Sequence, residues 1–322
     1  MDRMNMSGWI LFVMTALMLN VPLAHAGAEK RISVLIFSEE VRYTEALKGI
    51  RDVLKDHGFG EPAVRFSVEN AGGSKAKAAE LVKKFAAEKM DLIFTLGTSA
   101  TIAVSREIRD IPIVFAMVFD PVEAKIARDW RSSGNNTTGV SPRIPMARIV
   151  EMLKTFGPTM RLAVLYTPGE KNSELQLREL QGLQAAMGIK VVPVILVSKE
   201  DVARIVPEAA RTVDAMYLTG SSVVGSNVPM IVEAASRTKV VTITHLDDLV
   251  EKGSLLGICA NSYQIGRLAG EKALKVLRGA KPSSIPIEVG KKVDVILNAK
   301  TAQAGQYIVP PEFLEMVTKT VE

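Results

Sequence analysis

The sequence predicts an α/β protein of two lobes, each built on a parallel sheet with helices on both faces. Three observations carry that reading. Apolar, β-branched runs of strand length alternate with segments of helical period along almost the whole chain. The strand runs are nearly unbroken, as expected of strands buried on both faces. One polar, turn-rich stretch interrupts the rhythm, which then restarts, dividing the chain into two units of similar build.

The first 26 residues stand outside this pattern. Arg3 gives a weakly basic start, residues 9–24 are nearly continuous apolar sequence, and Ala24-His25-Ala26 has the small-x-small spacing of a signal-peptidase site. Interrupted by Asn20 and Pro22, the apolar stretch is short for a permanent span. Cleavage after Ala26 and export to the periplasm or medium are expected; a retained N-terminal anchor is the alternative. The remaining chain, roughly 300 residues, exceeds what one core usually serves, so two lobes are expected.

The first unit reads as strand 32–37, helix 44–57 closed by Gly58, strand 63–68 and an alanine-rich helix 76–89. Strands 91–96 and 111–118 then flank helix 100–108. The polar run 132–139, followed by Pro142 and Pro145, is taken as the crossing between lobes. Helix 146–156 and strand 161–166 open the second unit. Helix 173–187 follows, its start assigned from the capping-box spacing of Ser173 and Gln176. Strand 191–197 leads through Ser198-x-x-Asp201 into helix 202–210. Next come strand 215–219, helix 228–237 and strands 240–244 and 254–260. A long helix, 263–277, is ended by Gly279 and Pro282, and 293–297 is a last strand. With the chain returning near residues 260 and 285, one lobe is expected to hold 27–140 with about 261–285, and the other 141–260 with about 286–322.

Composition removes several function classes. A net charge of +5 is modest for 322 residues, and the lysines of 75–89 interleave with alanine and glutamate as a solvated helix face does. No nucleic-acid partner is expected. Of three histidines one lies in the signal, leaving no cluster with metal-ligand spacing, so neither metal nor cofactor is expected. Cys259, the single cysteine, follows Leu255-Leu256-Gly257-Ile258 and reads as a buried thiol; it has no internal disulfide partner and is not placed for lipidation at a processed N-terminus.

In open parallel sheets ligands gather beyond the carboxyl ends of the strands. In the first unit those ends hold Ser38 with Tyr43 soon after, Gly97-Thr98-Ser99, and Phe119-Asp120-Pro121. In the second they hold Tyr166-Thr167 with Asn172 and Ser173, then Thr219-Gly220-Ser221, then Thr244-His245-Leu246-Asp247. A glycine before two hydroxyls at a helix start lets backbone approach a ligand and offers free N–H groups to an anion. The same Thr98 or Ser99 serves equally well as a simple helix cap. No Gly-x-x-x-x-Gly-Lys-Ser/Thr phosphate loop occurs, and Gly97-Thr98-Ser99-Ala100-Thr101 fails the Gly-x-Ser-x-Gly pattern of a serine nucleophile. Asp120 reads as an acceptor for a ligand ammonium or as a turn residue before proline. Asp247 reads as a ligand contact or as charge at the next helix start.

The runs Asp91-Leu92-Ile93-Phe94-Thr95-Leu96-Gly97-Thr98-Ser99-Ala100, Asp120-Pro121 and Asn136-Thr137-Thr138-Gly139-Val140-Ser141 resemble a known family. So do Val164-Leu165-Tyr166, Asn172-Ser173, Asp214-Ala215-Met216-Tyr217 and Ile308-Val309-Pro310-Pro311. The family is the substrate-binding proteins of ABC transporters that includes tryptophan- and phenylalanine-binding members. The likeness runs in order through the whole chain after the signal. It implies a type I periplasmic-binding-protein fold: two Rossmann-like lobes with parallel sheets, joined by a three-crossing hinge. It also implies a ligand carboxylate at Thr98-Ser99 and the facing loop around Asn172-Ser173, with Asp120, Thr219 and Ser221 nearby. Thr167, where many relatives carry asparagine, and His245 depart from the pattern, so the solute need not be the one bound elsewhere.

The expectation is therefore an exported, monomeric receptor that closes on a small solute and presents it to an ABC permease. A periplasmic sensor feeding a signalling partner is the alternative from another class. An exported enzyme acting on a small anion is a third, though no acid–base or nucleophilic set assembles from these residues.

Overall fold

The computed structural model describes residues 29–158 and 161–322; the expected signal lies outside them. Five strands come first: β1 (Lys30–Ile36), β2 (Val64–Asn70), β3 (Leu92–Leu96), β4 (Ile113–Ala116) and β5 (Thr137–Ser141). Five more follow: β6 (Arg161–Tyr166), β7 (Lys190–Ile195), β8 (Ala215–Leu218), β9 (Val241–Thr244) and β10 (Leu256–Ala260). The short β11 (Glu288–Val289), β12 (Val293–Asn298) and β13 (Lys319–Val321) complete the set among the described residues. They form two sheets, ordered β11-β5-β4-β3-β1-β2 and β13-β12-β10-β9-β8-β6-β7. The chain thus passes between sheets after β5, after β10 and after β11.

Every described strand pair is parallel except β10 with β12, where Ala260 faces Val293 and Leu256 faces Leu297. Topology explains the exception. The chain leaves the second sheet at the end of β10 and, by a separate crossing after β11, re-enters it at the start of β12 on the same side, so β12 must run back alongside β10.

The longer helices are α1 (Val41–Asp56), α2 (Lys75–Ala87), α3 (Thr98–Glu107), α4 (Met146–Lys154) and α5 (Lys171–Gly182), with a short α6 (Gln184–Met187). Then come α7 (Lys199–Ala210), α8 (Ser222–Ser226), α9 (Val228–Arg237), α10 (Asp247–Glu251) and α11 (Ser262–Leu277). The C-terminal region adds α12 (Ala299–Ala304) and α13 (Pro311–Met316). After the second crossing α11 docks on α1 of the first lobe. A Cβ on Gly266 would lie 2.0 Å from the Ala46 carbonyl oxygen, and one on Gly49 would lie 2.2 Å from that of Tyr263. Only glycine at both positions permits so close a crossing.

The strands of the sequence reading recur with shifted ends, and three elements differ for physical reasons. Residues 137–141, taken largely as part of a polar crossing, form the buried strand β5. Its hydroxyls are satisfied inside the fold, Thr138 Oγ1 donating to the Ile285 carbonyl at 2.8 Å, so β-branched threonine is at home there. Helix α5 begins at Lys171, before Ser173, whose Oγ donates instead to the carbonyls of Glu170 (3.0 Å) and Thr167 (3.1 Å). Beyond β12 the chain continues into α12, α13 and β13, which the strand–helix alternation did not reach. Ser198, by contrast, caps α7 by accepting from the Asp201 N–H at 3.2 Å.

Candidate functional site

A cleft of about 550 Å³ lies where the carboxyl ends of the two sheets meet. Ser99, Ile102 and Arg106 of α3 and Lys75 of α2 line it from the first lobe, and Gly169, Lys171 and Glu174 from the second. The wall next to Ser99 is the turn joining β3 to α3. Gly97, at φ 94° and ψ 157°, is the N-cap residue of that helix, in a backbone region that essentially only glycine occupies. Thr101 Oγ1 donates to the Gly97 carbonyl at 2.8 Å and shares a second 2.8 Å bond with Thr95 Oγ1, bracing the turn from below. Neither Thr98 nor Ser99 occupies the cap position. Thr98 is 3% exposed, and its hydroxyl is buried without a hydrogen-bond partner. The first N–H groups of α3 have no acceptor within the helix, as at any helix start. Ser38 is buried at the end of β1, and Tyr43 packs its hydroxyl against Gly97.

The second lobe's hydroxyls are tied to one another. Thr167 Oγ1 lies 2.6 Å from Ser221 Oγ and donates to the Leu196 carbonyl at 2.7 Å. Ser221 caps α8 through the Val224 N–H. Thr219 Oγ1 donates to the Leu165 carbonyl at 2.7 Å, and Asn172 Nδ2 to the Gly220 carbonyl at 2.6 Å. These residues, with Ser173, hold three strand-end loops in one arrangement. Tyr166 is half-buried at the end of β6.

The two acids of the sequence reading have protein partners. Asp120 Oδ1 accepts from the N–H groups of Val122 and Glu123, both at 3.0 Å, while Oδ2 pairs with Arg143, which also lies 3.1 Å from Glu179 of α5. Asp247 accepts from Ser262 N (2.9 Å) and Oγ (2.6 Å), joining α10 to the chain just after the second crossing. Burial raises the Asp247 pKa against the pull of those bonds.

Sequence reasoning missed the charged contact between the lobes. Arg42 of the first lobe lies 2.9 Å from Asp248 of the second, and Lys252 lies 2.8 Å from Glu40. Burial opposes the Arg42 charge, but Asp248, then Tyr43 and Glu40, overcome it and raise its pKa. Glu170, which accepts from Ser222 N and Oγ, is pushed upward by burial. The available signal was positional: Arg42 falls on the apolar stripe that continues through Ala46 and Ile50. His245 also lies between lobes, 2.6 Å from the Tyr217 hydroxyl and edge-on to Phe119 at 5.4 Å. Burial, reinforced by Arg42, lowers its pKa to about 3, so the imidazole is neutral.

Known proteins share the fold of this chain. A family model described as ABC transporter substrate binding protein matches residues 31–321. A tyrosine-binding protein of Clostridioides difficile is 26% identical over 279 residues, 86% of this chain and 81% of that protein. A conserved domain protein from Vibrio cholerae superposes with a TM-score of 0.86 at 28% identity, covering 90% of this chain and 99% of that one. An ABC domain from Streptococcus pneumonia, in complex with L-Trp, gives a TM-score of 0.86 at 26% identity, covering 91% and 100%. Two α/β lobes of this kind are the type I periplasmic-binding-protein fold. The chain belongs to the family of ABC transporter substrate-binding proteins.

Proposed function

We propose that this protein is the exported receptor of an ABC importer and that it closes its lobes over an amino acid or a related small carboxylate. The observation that carries the reading is the Gly97-Thr98-Ser99 turn. It combines a buried hydroxyl without a partner, a second hydroxyl on the cleft and the free N–H groups of a ten-residue helix. Such a turn suits a carboxylate, which accepts several hydrogen bonds and favours the positive end of the helix dipole. The facing loops are held in place by Thr167, Ser173, Thr219 and Ser221, and Asn172 fixes the Gly220 carbonyl. Among these hydroxyl residues, Ser99 of the first lobe is the one placed on the cleft.

The ligand's ammonium group finds no free carboxylate at Asp120, whose oxygens are already engaged by Arg143 and two backbone amides. A solute that competes for Asp120 must displace Arg143. Relatives that bind tyrosine and tryptophan make aromatic amino acids the first compounds to test. Titration of the refolded protein with L-tyrosine and L-tryptophan tests the reading, with saturable one-to-one binding as the expected result. Absence of binding to any small carboxylate would overturn it.

A further inference from the structure

We propose that Arg42 and Asp248 are positioning residues for ligand binding: an ion pair between the lobes that ties closure to the shape of the Gly97-Thr98-Ser99 turn. The inference rests on the reading of that turn as the carboxylate site.

The pair is dry. The side chains of Arg42 and Asp248 are 3% and 2% exposed, and that of Glu40 is fully buried. Lys252, 27% exposed, lies 2.8 Å from Glu40 Oε2 and donates to the Gly225 carbonyl at 3.0 Å. The lobes touch closely at this point, since a Cβ on Gly225 would lie 2.7 Å from Glu40 Oε1. Glu40 and Arg42 belong to the first lobe, and Gly225, Asp248 and Lys252 to the second, so the Arg42–Asp248 and Lys252–Glu40 pairs and the Gly225–Glu40 contact each join one lobe to the other. Glu40 Oε1 and Asp248 Oδ1 are buried without a hydrogen-bond partner, so the acids are held through Asp248 Oδ2 on Arg42 and through Glu40 Oε2, which Lys252 shares with Arg42 at 3.3 Å.

A path of direct contacts runs from this pair to the turn. The Arg42 guanidinium sits 4.9 Å from the centre of the Tyr43 ring, and the Tyr43 hydroxyl packs on Gly97. Separating the lobes removes Asp248 from Arg42 and frees Tyr43 to shift from behind the turn. A contact present in one state and absent in the other biases the equilibrium between them. Ligand affinity then depends on residues that do not touch the ligand.

The test compares the protein with its Asp248→Asn, Lys252→Met and Gly225→Ala variants. Small-angle scattering gives the radius of gyration, stopped-flow titration with L-tyrosine and L-tryptophan gives the rates, and thermal unfolding checks the fold. The expected result is a larger radius of gyration in each variant. Affinity for whichever amino acid binds falls about tenfold, through faster dissociation. Should Asp248→Asn fail to fold, the partly exposed Lys252→Met and the charge-preserving Gly225→Ala carry the test. Unchanged radius and dissociation rate in folded variants would overturn the proposal. If the unaltered protein binds neither amino acid, the choice of those solutes fails, while the scattering comparison still decides the role of the pair.

Discussion

The hydroxyl of Tyr43 occupies the space that a side chain at Gly97 would need: a Cβ there would lie 2.5 Å from the tyrosine oxygen. The glycine is also required by its backbone, at φ 94° and ψ 157°. Gly97→Ala therefore meets two penalties, about 1–3 kcal/mol for the backbone alone. We expect a lower melting temperature and loss of ligand binding. Adding Tyr43→Phe removes the oxygen but leaves the ring carbon Cζ 2.9 Å from that Cβ and the backbone penalty in place, so calorimetry of the double variant should show only partial recovery of stability.

Thr98 and Ser99 supply hydroxyls that do not cap their own helix. Changing both to alanine should weaken ligand binding by a few kcal/mol, at roughly 1.5–3 for each charge-assisted hydrogen bond. Titration calorimetry checks the affinity and thermal unfolding the fold. Unaltered affinity with a reduced melting temperature would assign the turn a purely structural role.

His245 is held neutral between the lobes, its pKa lowered to about 3 by burial and by Arg42. In the unfolded chain it takes up a proton near pH 6.5. A base with a depressed folded pKa contributes stability above its unfolded value, and that stability is lost as pH falls toward the folded one. The cost approaches about 1.4 kcal/mol per pH unit across that window. His245→Gln should remove this part of the acid sensitivity. Denaturant melts of both proteins between pH 6.5 and 5 should converge, the unaltered protein losing stability faster.

Cys259 is fully buried in β10, and burial pushes its thiol well above the ordinary value. The native protein should resist Ellman's reagent at pH 8 and react with one equivalent in guanidinium. Rapid reaction under native conditions would mean that β10 opens locally.

Much of the fold was legible because its strands carry their own signal. The run from Leu92 to Leu96 is apolar apart from Thr95 and wholly buried, and the reading of 91–96 as a strand needed nothing else. β5 was hidden because Thr137 and Thr138 look like loop residues until it is known that their hydroxyls donate to Asn135 Oδ1 and the Ile285 carbonyl. Ser173 misled in the opposite sense, since its spacing from Gln176 imitates a cap while its Oγ serves the preceding loop. The candidate turn at Gly97 was visible, being contiguous in sequence. Arg42 with Asp248 and Glu40 with Lys252 were not, since each pair joins residues 206 and 212 positions apart. Asp120 and Asp247 show the same limit: their positions were readable, but Arg143 and Ser262, which engage them, belong to the crossings between lobes.

The most direct test of the account removes the ligand's carboxylate. The protein would be freed of bound solute by unfolding and refolding, then screened by thermal shift against the common amino acids and their carboxamides. Ligand at a hundred times its dissociation constant adds about 2.7 kcal/mol, a shift of several degrees for a chain of this size. The account predicts that one class of amino acid raises the melting temperature and that the matching carboxamide does not. Equal shifts from acid and amide would contradict a carboxylate site at Thr98-Ser99.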